Sequence, residues 1–143
     1  MAQTQLVGML KDAGIKPTSQ RVLILDYLMN HHNHPSSEEI YQSLHDEVSV
    51  LSRATVYNTV NIFKQKGLIR ALDTGDEVSH YDIDLSDHGH FQCTQCLKIW
   101  NIPLPDDAAD QMVLPEGFVS EDMQVLIKGV CRDCREKAEE KAP

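Results

Sequence analysis

The sequence is short of basic residues and of long apolar runs. Lys and Arg number 13 against 22 Asp and Glu, a formal net charge of −9 over 143 residues. Delocalised electrostatic attraction to nucleic acid is therefore a poor reading, although a local neutral-to-basic face can still bind. No stretch approaches the roughly 20 apolar residues that span a bilayer. Met1-Ala2-Gln3-Thr4-Gln5 lacks a basic region ahead of an apolar run, which predicts no secretory signal and a cytoplasmic protein. Internal repeats and low-complexity runs are absent from the sequence. So are the His-Glu-x-x-His pattern of zinc proteases and the His-x-Glu with Pro-Cys-x-x-Cys of zinc deaminases. An enzyme is not expected.

What is present is ordinary globular material, 41% hydrophobic and 24% charged, which argues against disorder. Its length suits one domain or two small ones. Residues 1–67 hold six basic and six acidic residues, whereas residues 68–143 hold seven and sixteen. That asymmetry predicts two halves with different tasks.

The first half reads as helices followed by a hairpin. Leu6, Val7 and Leu10 recur at helical spacing before Gly14. Thr18 can cap a second helix carrying Val22, Leu23, Leu25 and Leu28, and His34-Pro35 marks a turn. Ser36 and Ser37 ahead of Glu38 and Glu39 give a cap and an acidic first turn to a third helix bearing Ile40, Tyr41 and Leu44. Ser52 opens a fourth, with Val56, Val60 and Phe63 towards the core. Residues 68–72 and 78–82 flank a turn at Asp73-Thr74-Gly75-Asp76 and read as a hairpin. This is the outline of a winged helix-turn-helix over residues 1–83. Residues 84–143 read as a small α/β domain: short strands at 90–92, 98–102 and 125–127, a short helix at 106–113, and a charged helical tail at 136–141. The fold class is α+β.

Four cysteines form two Cys-x-x-Cys pairs, Cys93/Cys96 and Cys131/Cys134. Thiolates three residues apart sit in one tight turn, and two such turns can close a tetrahedral zinc site with no open position. The competing reading is two redox-active thiol pairs, but a thioredoxin-like motif normally comes singly, at a helix start. Next to the first pair, His88 and His90 alternate on an extended segment and so share a face. Asp82 and His34 are further candidates, and such nitrogen and carboxylate donors suit Fe(II), Mn(II) or Zn(II). On the fourth helix, Arg53 and Lys64 can meet phosphates, Asn58 an adenine edge, and Thr55 or Tyr57 a thymine methyl.

Ser52-Arg53-Ala54-Thr55-Val56-Tyr57, then His88-x-His90-x-x-Cys93-x-x-Cys96, then Cys131-x-x-Cys134 together resemble the ferric-uptake-regulator (Fur) family. Gly14-Ile15-Lys16-Pro17-Thr18 with Arg21, and His34-Pro35 ahead of Glu38-Glu39-Ile40-Tyr41, also match. The resemblance runs over residues 6 to 134. It implies a homodimeric, metal-sensing repressor with a winged-helix DNA-binding domain and an α/β dimerisation domain. Asn58 and Asp82 make the chain most similar to the peroxide-responsive repressors (PerR) of that family. By resemblance, Lys16 enters a minor groove, and Arg21 joins the DNA-binding set. The operator would be a palindromic A·T-rich duplex. The regulatory ion, Fe(2+) or Mn(2+), would take His34, Asp82, His88 and His90, with Asn101 at a fifth position normally held by a carboxylate. An amide there leaves one positive charge uncompensated, so weaker binding, altered metal choice or a substitute donor such as Asp84 is expected. Met123 and Gly89 imply that an accessory metal site of some relatives is missing. Peroxide sensing would proceed by iron-catalysed histidine oxidation. The alternatives are an iron- or manganese-responsive uptake regulator without peroxide chemistry, and a zinc-stabilised interaction module that does not bind DNA.

Overall fold

The computed structural model describes residues 2–75, 78–86 and 88–141. The chain divides into two compact units, residues 1–85 and 86–143.

The first unit runs α1 (Gln3–Asp12), α2 (Ser19–Asn30), α3 (Ser37–His45), α4 (Arg53–Gln65), β1 (Arg70–Asp73) and β2 (Ser79–Asp82). Hydroxyl caps start three of the helices. Thr18 Oγ1 accepts from Arg21 N–H at 3.3 Å, Ser36 Oγ from Glu39 N–H at 3.2 Å and Ser52 Oγ from Thr55 N–H at 3.1 Å. Each satisfies a backbone donor that the helix itself leaves unpaired. Gly14 and Gly67, both at φ +75°, turn the chain out of α1 and α4, a conformation that costs any other residue more.

Val56, Val60 and Phe63 on α4 are fully buried beside Leu10, Ile24, Leu25 and Ile40. Each contributes about 1.5–3 kcal/mol by leaving water. α2 buries Val22, Leu25 and Leu28 as its spacing predicts, but Ile24 and Tyr27 join them and Leu23 is only half-buried. The reason is that α2 packs against both α1 and α4, so one apolar stripe is not enough.

β1 and β2 pair antiparallel, from Arg70 opposite Asp82 to Asp73 opposite Ser79. Asp73 Oδ1 accepts from Gly75 N–H at 2.8 Å to begin the turn; Asp76, the last residue expected in that turn, lies outside the described residues. On its other edge β2 is met by the segment before α3. Ser36 bridges His80, and Tyr81 N–H donates to the Pro35 carbonyl at 2.9 Å. The wing is thereby anchored to the helices, completing a winged helix-turn-helix.

The second unit holds β3 (Gly89–Cys93), β4 (Ile99–Ile102), β5 (Leu126–Gly129) and α5 (Arg132–Lys141). The sheet order is β4-β3-β5, with β3 antiparallel to β4 and parallel to β5. The helix expected at 106–113 is not formed; residues 106–111 make turns. Asp106, Asp107 and Asp110 crowd like charges there, and Met112 and Val113 are exposed, so no buried apolar face repays the cost of helix nucleation. α5 starts four residues before the expected charged tail, directly after Cys131.

Candidate metal centres and nucleic-acid face

Cys93 ends β3, Cys96 closes the turn after it, Cys131 follows β5 and Cys134 lies in the first turn of α5. The parallel pairing of β3 with β5 sets Cys93 opposite Gly129, which brings the two Cys-x-x-Cys turns together. One sulfur from each cysteine lies within 4.8 Å of the others. Cys96 Sγ and Cys131 Sγ are 3.9 Å apart. That is far beyond a disulfide and close to the edge of a tetrahedron with metal–sulfur bonds of about 2.3 Å.

Backbone donors converge on the same sulfurs. Cys93 Sγ accepts from the N–H groups of Gln95 at 3.3 Å, Cys96 at 3.4 Å and Cys131 at 3.4 Å. Burial pushes the Cys93 thiol up, but these donors outweigh it and bring it down to about 6. The Cys134 thiol is pushed up to about 12, first by its hydrogen bond with Cys131 and then by burial. Four sulfurs so close cannot all ionise unaided, and a divalent cation resolves that conflict. The donor set fits zinc, which makes this a zinc-type site. The first turn needs Leu97 at φ +65°, a left-handed conformation that glycine would adopt more easily.

The histidine and carboxylate candidates form two pairs, one in each unit. In the first unit His34 and Asp82 are both buried, with His34 Nε2 3.4 Å from Asp82 Oδ2. Asp82 Oδ1 also accepts from Asp84 N–H at 2.9 Å. In the second unit His88 Nε2 and His90 Nε2 are 3.0 Å apart. His88 Nδ1–H donates to the Ser86 carbonyl at 2.7 Å, which leaves the lone pair on Nε2, the arrangement usual for a metal-binding imidazole. Two donors about 2.1 Å from one ion lie about 3.0 Å apart at a right angle and about 3.4 Å apart at the tetrahedral angle. Both pairs are at ligand spacing. Asn101 stands opposite His90 across the β3–β4 ladder and is exposed, a position from which an amide oxygen shares that strand face.

On the first unit, Tyr57, Asn58 and Lys64 are exposed along α4, and Thr55 is half-buried, its hydroxyl 2.9 Å from Ser52 Oγ. A polar cleft of about 340 Å³ runs between the start of α2 and α4, lined by Thr18, Arg21, Thr55 and Asn58 among others. Arg21 donates through Nη1 to the Lys16 carbonyl at 3.0 Å, tying the exposed Lys16 segment to α2. Arg53 is held by Glu38 and Tyr41. Two further residues stand outside the set expected from the sequence: Glu38, the partner of Arg53, and His80, which donates through Nδ1 to the His34 carbonyl at 2.9 Å. The signal for His80 was its position two residues from Asp82, on the same strand face.

The sequence profile of the Ferric uptake regulator family matches residues 12–128. A curated relative, the peroxide operon regulator of Bacillus subtilis (strain 168), is 38% identical over 130 residues, 90% of each chain. The solved structure of the ferric uptake regulator from Francisella tularensis with iron is 29% identical, with a TM-score of 0.76 over 85% of this chain and 96% of that one. A zinc-bound manganese uptake regulator is 27% identical, with a TM-score of 0.70 over 88% of this chain and 98% of that one.

Proposed function

We propose that this chain, which belongs to the ferric uptake regulator family, is a metal-dependent, DNA-binding transcriptional repressor that responds to peroxide. Proteins of the family are metal-responsive transcription regulators that bind DNA as dimers. The observation that carries the reading is the pair of half-sites, His34 with Asp82 and His88 with His90, each spaced as two ligands of one ion. One Fe(2+) or Mn(2+) taking all four, with Asn101 as a fifth donor, would tie the DNA-binding unit to the zinc-bearing one. Metal occupancy then selects the arrangement that fits DNA, because the ion binds that arrangement better. Cys93, Cys96, Cys131 and Cys134 hold structural zinc, whose closed thiolate shell leaves no position for a substrate.

On DNA, α4 enters a major groove, with Asn58 on an adenine edge and Thr55 and Tyr57 beside thymine methyls. Arg21, Arg53 and Lys64 meet phosphates, and Lys16 reaches a minor groove, which A·T tracts narrow and make more negative. A homodimer on a palindromic A·T-rich operator in the cytoplasm completes the proposal.

Iron held by these residues would supply the one-electron chemistry that cleaves peroxide. His34 and His88 are the oxidisable groups beside it. An oxidised ring is a poorer donor, so the link between the units is lost and DNA is released. The resemblance to the peroxide operon regulator supports this reading. Asn101 favours a second one, an iron- or manganese-responsive regulator without peroxide chemistry, because its neutral amide leaves the shell less anionic. Anaerobic loading with Fe(II) or Mn(II), followed by DNA binding before and after peroxide, tests both. Release by peroxide with iron alone supports the first reading, and retention with either metal supports the second.

A further inference from the structure

Resting on that metal-site reading, we propose that His80 is a positioning residue that presets the His34–Asp82 half-site before any ion arrives. His34 occupies the left-handed region at φ +56°, which a residue with a Cβ rarely adopts. The Pro35 that follows disfavours helical backbone at His34 as well. Something must hold this segment, and β2 takes part in doing so. Tyr81 N–H donates to the Pro35 carbonyl at 2.9 Å, and Ser36 pairs with His80 as a bridge. A side chain of β2 also reaches the His34 backbone: His80 Nδ1 lies 2.9 Å from the His34 carbonyl oxygen. A carbonyl can only accept, so Nδ1 carries the proton.

His80 and Asp82 are two residues apart on one strand and therefore project from the same face. The side chain that fixes the backbone of one ligand thus sits beside the other ligand. This sets the 3.4 Å between His34 Nε2 and Asp82 Oδ2 by construction rather than by the ion. A pair already at ligand spacing loses little freedom when it binds. Without the His80 hydrogen bond, His34 can relax towards extended backbone and carry its imidazole away from Asp82.

The test compares His80→Leu with His80→Asn in the full, zinc-loaded chain. Asn places an amide N–H near the position of Nδ1, whereas Leu fills the space without a donor. Mn(II) affinity is measured by calorimetry, with zinc content and thermal midpoint recorded alongside. Histidine-selective NMR of the protein without Mn(II) follows the His34 ring. His80→Leu is expected to weaken Mn(II) by about 10–100-fold, the usual effect of removing a group that orients a ligand. It should keep its zinc and shift the His34 signals, and His80→Asn should restore both affinity and signals. Wild-type affinity in His80→Leu overturns the inference alone, as does equal loss in both variants with a lowered thermal midpoint, which marks a merely structural role. A wild-type chain that takes up no Mn(II) beyond its zinc overturns the metal-site reading, and the inference with it.

Discussion

Arg53 and Glu38 are clamped together across the α3–α4 corner. Arg53 Nε lies 3.0 Å and 3.1 Å from the two Glu38 carboxylate oxygens, and the guanidinium sits 4.4 Å above the Tyr41 ring. Hydrogen bonds from Arg53 and then from Gln42 hold the Glu38 carboxyl below its ordinary value. Both side chains are more than half exposed, so the pair adds little to stability. In the proposed phosphate contact, the pair presets the direction of Arg53 and Glu38 offsets part of its charge.

Glu38→Gln should therefore tighten non-sequence-specific DNA binding and steepen its salt dependence by about one counterion, while the thermal midpoint barely moves. Fluorescence anisotropy across a salt series measures both. An unchanged slope would mean that Arg53 does not reach a phosphate.

Two neighbours on α4 should fail in different ways. Asn58→Ala should lower affinity for operator DNA by about 1–3 kcal/mol and leave binding to random duplex unchanged. Lys64→Ala should weaken both duplexes alike and flatten the salt slope by about 1. Competition binding with the two duplexes separates these outcomes. Operator preference that survives Asn58→Ala would remove α4 from base recognition.

Cys96→Ser should abolish zinc retention and unfold the second unit, because binding energy at such a site is folding energy. Metal analysis and far-UV circular dichroism read the two effects. Acid should do the same to the unsubstituted chain. Cys93 is lowered from 9.0 to about 6 in the metal-free fold, so the stability it contributes there is complete above about pH 9 and is lost as pH falls through about 6. Bound zinc holds the thiolate ionised further and carries the loss to lower pH. Zinc release monitored by a chromophoric chelator should accordingly climb only at that lower pH. Zinc retained by Cys96→Ser would refute the four-cysteine assignment.

A brief peroxide pulse on the Fe(II) form should add one oxygen to the peptide carrying His34 or His88, and the Mn(II) form should stay unmodified. Peptide mass spectrometry decides. Intact histidines with DNA lost would shift the sensing to the cysteines.

Local chemistry wrote much of this protein into its sequence. Thr18, Ser36 and Ser52 are caps because a hydroxyl before a helical run has only one backbone donor set to satisfy, three residues on. Val56, Val60 and Phe63 face inward because their spacing leaves no other face. The Cys93/Cys96 and Cys131/Cys134 pairs announce a metal site because so few turns put two thiolates on one side. Other features depend on what is distant in the chain. The expected helix at 106–113 gives way to turns because its apolar residues Met112 and Val113 lie exposed among the described residues, which the acidic run suggests but burial decides. Cys93 meets Cys131 only because β3 and β5 run parallel, and no residue in either strand specifies that pairing alone. Glu38 reaches Arg53 across fifteen residues and His80 reaches the His34 carbonyl across forty-six. Such contacts form only after the core has fixed where two segments lie, so the sequence supplies their donors and acceptors while the tertiary fold chooses the partners.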